Sequence, residues 1–259
     1  MQTQNVLSIA GAKGGVGKTT TSINLGSTLV GRGRSVVLVE LDLAMANVLD
    51  FLDLGLDPEA DATLHDVLAG EATPSEAVYR APGGVDVLPS GVSIDGYAAT
   101  NRPAVVETIR GLREEYDVVL LDTGAGLSYE TLLPLALADW TIVVSTPRVA
   151  SVRDAQKTTE LVSRVGGAVL GLVLVKDGTG TAPPPERIAA FLEVDLLGRV
   201  PHDESIPTSQ DQGTPVVSLD VGAPAAEAYR RLAEAVDAKV FTGPGDSARL
   251  EPAVPAIEP

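Results

Sequence analysis

Apolar runs rich in valine, isoleucine and leucine recur along the chain: NVLSIA (5–10), SVVLVELD (35–42), VDVLP (85–89), YDVVLLD (116–122), WTIVVST (140–146), AVLGLVLV (168–175) and LGRVP (197–201). Each has the length of one strand, and the longer ones are apolar throughout rather than alternating. The segments between them predict helices over 18–31, 61–69, 74–80, 103–115, 129–137, 150–165, 185–193 and 223–240. Continuous apolar strands separated by helices indicate a mostly parallel sheet covered on both faces, a doubly wound α/β fold in a single domain. Gly31-Arg32-Gly33 supplies the stop after the first helix. Ligands in such sheets bind at the carboxyl ends of the strands, so the chemistry is expected there.

No internal repeat and no linker interrupts this pattern. From Thr242 onward the chain reads TGPGDSARLEPAVPAIEP, without helical periodicity. The expected organisation is one domain over 1–241 and a disordered Pro/Gly/acidic tail over 242–259. With 259 residues and 44% hydrophobic content, one large core is affordable. The formal charge of −16 argues against non-specific binding to DNA or to anionic membrane. Five lysines and fourteen arginines face 35 acidic residues, a balance that suits high salt, though an ordinary acidic cytosolic protein has it too. The absence of cysteine excludes disulfides, iron–sulfur ligation and Cys-based zinc sites. His65 and His202 are too few for a His-rich metal site and read as structural or surface residues. No signal peptide precedes the first apolar run, and no run approaches the ~18 residues of a membrane span, so a cytoplasmic protein is expected.

The stretch IAGAKGGVGKTT, Ile9 to Thr20, follows a strand and opens a helix. That setting suits a phosphate-binding loop, in which glycines 14, 15 and 17 let backbone N–H groups turn towards phosphates at a positive helix end. Gly14, Gly15, Val16, Gly17, Lys18, Thr19 and Thr20 are the expected nucleotide contacts. Lys18 would reach the β and γ phosphates and the Thr19 hydroxyl would hold Mg²⁺. The bland alternative is a glycine-rich turn without a ligand. Asp122 ends another apolar strand and precedes the turn Thr-Gly-Ala-Gly, so it would join the Mg²⁺ shell through water; alone, such an aspartate is weak evidence, since strand-end aspartates often cap the next helix. Asp42, beyond the last apolar pair of its strand, would orient the attacking water.

Together these residues resemble the MinD/ParA family of P-loop ATPases, on the MinD side, with a deviant Walker A loop K-G-G-x-G-K-[ST] met by Lys13 to Thr19. The family also has members without the first glycine, where this chain has Ala12. The resemblance implies ATP and Mg²⁺ as cofactors and an ATP-dependent homodimer. Lys13 would be the signature lysine that crosses to the partner's phosphates. Glu40, Asp42 and Asn47 stand at the positions of switch I, with glutamate for the usual first aspartate, and DTGAG resembles switch II. Asp42 matches the carboxylate implicated in hydrolysis. The similarity continues through STPRVASVRDAQKTTELV, VPHDESIPTSQDQGTPVV and APAAEAYRRLAEAV, covering about residues 4 to 240.

Two departures stand out. Lys176-Asp177 replaces the Asn-Arg pair that reads adenine in the family, so Asp177 would accept from the adenine amino group or read guanine. Pro201, His202 and Asp203 match the segment that flanks the base. The last helix, with Ala226, Tyr229, Leu232, Ala233, Val236 and Val240, is a core-facing stripe and not a basic lipid-binding helix, so direct membrane anchoring is not expected. The implied function is a slow, Mg²⁺-dependent ATPase switch. It would place division-site, polar or motility machinery through an activating or cargo protein, with any recruitment to membrane or poles made by partners. An acidic, lysine-poor member fits the MinD homologues of salt-loving archaea. The alternatives are a ParA-like DNA-partition ATPase, which the acidic charge opposes, and a cofactor-assembly or biosynthetic ATPase of the same fold.

Overall fold

The continuous apolar runs sort their side chains by parity. In the second strand, Val36 and Leu38 enter one apolar layer and Val37 and Val39 the opposite one. A run without polar positions is therefore a strand covered on both faces. The computed structural model describes residues 5–11, 13–126, 129–178 and 183–241. Ala12 and the tail over 242–259 lie outside the described residues.

Eight strands form one sheet: β1 (Asn5–Ala10), β2 (Val36–Glu40), β3 (Tyr79–Arg80), β4 (Asp86–Leu88), β5 (Val118–Asp122), β6 (Trp140–Ser145), β7 (Val169–Asp177) and β8 (Leu196–Pro201). Their order is β3-β4-β2-β5-β1-β6-β7-β8. Every pairing is parallel except that of β3 with β4. The expected mostly parallel α/β sheet is thus present. The chain leaves β1 for β2 on one side and builds β6, β7 and β8 on the other, so the carboxyl end of β1 lies at the switch point where such folds bind ligands. The register places Asp122 of β5 opposite both Ile9 of β1 and Glu40 of β2.

The helices are α1 (Lys18–Gly31), α2 (Leu64–Ala69), α3 (Ile94–Ala99), α4 (Ala104–Glu115), α5 (Tyr129–Leu137), α6 (Val149–Arg164), α7 (Pro185–Phe191), α8 (Ser205–Asp211), α9 (Val216–Leu219) and α10 (Pro224–Val240). On one face, Ile23, Leu25 and Leu29 of α1 pack with Tyr229, Leu232 and Val236 of α10 against the sheet. On the other, Val105, Ile109 and Leu112 of α4 join Leu64 and Leu68 of α2. Gly26 brings α1 close to the strands: a Cβ there would lie 3.1 Å from Val85 Cγ2 and 3.2 Å from Leu120 Cδ1.

The helix expected over 74–80 is not formed. Thr73 starts one correctly, since its amide and hydroxyl both donate to Glu76. The turn stops after Glu76, however, and Tyr79 and Arg80 pair antiparallel with Val87 and Asp86. A tyrosine followed shortly by Pro82-Gly83-Gly84 favours a short hairpin over helix continuation. Strand β2 ends at Glu40, two residues earlier than expected. Among the described residues, no helix is long and apolar enough to cross a membrane.

Candidate functional site

The connection from β1 to α1 is built on backbone shapes that side chains resist. Gly15 and Gly17 adopt φ of +73° and +97°, and Gly17 is the N-cap of α1. At Gly11 a Cβ would sit 2.7 Å from the Val144 carbonyl oxygen. The loop thus turns tightly into the amino end of α1, the positive pole of a helix.

Behind this loop lies a buried polar cluster. Thr19 Oγ1 donates to Asp122 Oδ2 at 2.6 Å, with Asn47 Oδ1 3.0 Å from the same hydroxyl. Ser22 Oγ lies 3.0 Å from Asp122 Oδ1 and 3.0 Å from the Lys18 carbonyl oxygen. Burial pushes the Asp122 carboxyl up to about 6, against the opposing pull of the Thr19 hydroxyl, the Lys18 ammonium and Ser22. Burial also lowers the Lys18 pKa, while Asp122 and Asp42 act to raise it. A desolvated ammonium, a hydroxyl and a carboxylate at a helix amino end are the donor set for a phosphate chain with a hard divalent cation. The shape and chemistry of the site fit ATP with Mg²⁺, and Thr19, with Asp122 behind its hydroxyl, would be the group to hold the metal.

Glu40 is wholly buried, and its role was not legible in the sequence. Its Oε1 accepts from the amides of Asn47 (2.6 Å) and Val48 (2.9 Å), and its Oε2 from the amide of Ser90 (2.9 Å). Burial pushes its carboxyl up to about 7, against these three amides. Because β2 has ended, Asp42 leaves the strand and lies on the turn after β5: a Cβ at Gly124 would be 3.3 Å from the Asp42 carboxyl carbon.

A cleft of about 440 Å³ opens over the loop. Gly14, Gly15, Gly17, Lys18, Thr19 and Thr20 line it, together with Asp42, Asn47, Phe51 and Ala125. Lys176, Pro201, His202 and Asp203 line it as well. The Lys176 ammonium donates to the Gly15 carbonyl oxygen at 3.0 Å, and Lys176 takes a left-handed φ of +55°. Asp203 accepts from the amides of Ser205 and Ala225, so it also ties down the start of α10.

Four of the expected residues do not line the cleft, and one of them, Asp122, lies buried behind Thr19. Val16 is buried and lies against Gly11. Asp177 turns to Arg199, whose Nη2 lies 2.7 Å from its carboxylate. Lys13 is half exposed and reaches Asp154 of α6 at 3.3 Å. Conversely, Phe51, Ile206, Pro207 and Gln210 line the cleft without having been expected. Gln210 Nε2 donates to Thr20 Oγ1 at 2.9 Å, a tertiary contact with no local sequence signal.

A family profile described as an AAA domain matches residues 4–168. An uncharacterised ATP-binding protein of Methanocaldococcus jannaschii is 35% identical over 228 residues, covering 88% of this chain and 85% of the relative. The cell division ATPase MinD of Pyrococcus furiosus superposes with a TM-score of 0.85 at 35% identity, over 90% of this chain and 98% of that one. The septum site-determining protein MinD of Pyrococcus horikoshii, solved with Mg-ADP, gives 0.84 at 34% identity, over 90% and 96%. With its glycine loop, its Thr19–Asp122 pair and this breadth of similarity, the chain belongs to the MinD/ParA family of P-loop ATPases, on its MinD side.

Proposed function

We propose that the protein is a Mg²⁺-dependent ATPase that dimerises with ATP and releases its partner copy on hydrolysis. Partner proteins would read its nucleotide state to position cellular machinery. The single observation that carries the ATPase reading is the Thr19–Asp122–Asn47 cluster, set directly behind Lys18 with Asp42 lining the same cleft. Lys18 neutralises phosphate charge from the loop. Thr19, fixed by Asp122, offers its hydroxyl oxygen to the metal, which when bound screens the phosphates. Asp42 orients the water that attacks the γ-phosphate, and Lys13 completes the phosphate shell of the second copy.

The Mg-ADP held by the Pyrococcus horikoshii relative supports the same cofactors here. The cell-division and septum-site roles named for the two solved relatives support placement of the division site among possible cargoes. Recruitment to a membrane or pole would then run through partners.

Calorimetric titration with ATP and Mg²⁺, followed by phosphate release over hours, tests the reading. Lys18→Ala is expected to abolish binding, and unchanged affinity would remove the loop assignment. Asp42→Ala is expected to keep binding and lose hydrolysis, trapping the ATP-bound dimer. Normal turnover in that variant takes Asp42 out of the mechanism.

A further inference from the structure

The segment from Leu41 to Asn47 carries Asp42 and Asn47 into the site, yet it has no regular secondary structure. Its far end is fixed by Glu40, which takes the amides of Asn47 and Val48. Its near end is fixed by a second, separate group. His65 Nε2 lies 3.0 Å from the Leu43 carbonyl oxygen, one residue after Asp42. A carbonyl oxygen only accepts, so this nitrogen carries the proton. The Ser90 hydroxyl lies 3.1 Å from the same nitrogen.

Ser90 therefore joins the two fixings. Its hydroxyl meets His65, which holds Leu43, and its amide donates to Glu40, which holds Asn47 and Val48. Both ends of the segment are tied to one residue just after β4. The histidine is itself held in place from several sides. Thr63 and Asp66 form a capping box that starts α2 and sets His65 in its first turn. His65 is 3% exposed, and a Cβ at Gly91 or Gly96 would come within 2.5 Å or 3.1 Å of Nδ1. Gly91 leaves room for the ring, and Gly96 packs close to it.

We infer that His65 is a positioning residue for ATP hydrolysis: by holding the Leu43 carbonyl it sets the pose of Asp42. This rests on the ATPase reading above. A small displacement of a group that orients the attacking water costs turnover while leaving phosphate contacts in the loop intact.

The test compares wild type, His65→Gln, His65→Asn and His65→Leu in kcat and KM for Mg²⁺-ATP. Amide hydrogen exchange of residues 42–48 is followed in parallel without nucleotide. Glutamine can place an N–H near Nε2 and leucine cannot. His65→Leu is expected to lower kcat about ten- to a hundredfold with KM within about twofold. It should also speed exchange of the segment, and His65→Gln should recover most of both. Where His65→Leu fails to fold, His65→Asn makes the same comparison, since its shorter amide keeps a polar group but cannot reach the Leu43 carbonyl. Wild-type kcat and exchange in the leucine variant, or a glutamine variant as impaired as the leucine one at equal thermal stability, overturns the positioning role alone. A wild-type chain that binds nucleotide but releases no phosphate overturns the ATPase reading instead.

Discussion

The hydroxyl of Thr19 meets Asp122 Oδ2 at 2.6 Å across a separation of 103 residues, joining the start of the first helix to the end of the central strand. The contact is buried, so neither partner can exchange it for water without loss. Replacing Asp122 by Asn keeps an acceptor for Thr19 but removes the charge. The Mg²⁺ concentration needed for half-maximal ATP hydrolysis is expected to rise about ten- to a hundredfold. A Mg²⁺ titration of phosphate release measures this, and an unshifted midpoint would show that Asp122 has no part in holding the metal.

Glu40 gives the metal-free protein a pH dependence. Its carboxyl is raised from 4.5 to about 7, chiefly by burial. A carboxyl raised in the folded state contributes stability that is complete below its unfolded value and is lost as pH rises through the folded one. Wild-type stability should therefore fall between about pH 4.5 and pH 7 through this group, by an amount on the order of 2–3 kcal/mol. Glu40→Gln cannot ionise, so its urea midpoints at pH 5 and pH 8 should lie closer together than those of wild type. It should also be less stable than wild type at pH 5, because the Ser90 amide then faces an amide donor, at about 1–3 kcal/mol. An equal pH slope in both proteins would place the dependence elsewhere.

Lys13 rests on Asp154 in a half-exposed ion pair, which contributes at most about 1 kcal/mol. Lys13→Ala should accordingly move Tm by no more than about 2–4 °C. It should keep measurable ATP binding and lose ATP-dependent dimerisation and turnover. Sedimentation with ATP and Mg²⁺ distinguishes the outcomes, and a variant that still dimerises and hydrolyses at the wild-type rate rules out the trans role.

Asp177 was expected near the base, yet its carboxylate pairs with Arg199. Asp177→Ala should leave the preference between ATP and GTP unchanged within about twofold. The exposure of Arg199 limits the loss of stability to about 1 kcal/mol. Competition binding with the two nucleotides decides this; a marked change in preference would return Asp177 to base recognition.

The parts of this molecule that were legible in the sequence are those carried by local pattern. Strands β1, β2 and β5 stood out because both faces are covered, which leaves runs such as VVLLD without polar interruption. The phosphate loop was legible because glycine spacing encodes backbone shape directly. The helices α3, α8 and α9 were not visible, since IDGYAA and SIPTSQD carry a glycine or a proline without an apolar stripe and VVSL is only four residues long. The hairpin strand at Tyr79 was hidden by a genuine helix-start signal at Thr73. Within the site, Glu40 looked like a minor variation on an aspartate. Its burial and its three amide partners arise from β4, β5 and the segment it anchors, and no local rule reports such contacts. Gln210 on Thr20 and His65 on Leu43 are of the same kind.

The placement of β5 between β2 and β1 has a consequence for how the chain folds. Residues Val118 to Asp122 of β5 pair with β1 on one side and β2 on the other, and among the described residues β1 and β2 do not pair directly. During synthesis the first two strands emerge without the strand that unites them, and pairings of such long sequence separation form late. A nascent chain stopped before residue 118 should therefore gain no protection from proteolysis on addition of ATP. Nucleotide affinity would appear abruptly, as a report that the central strand has been inserted.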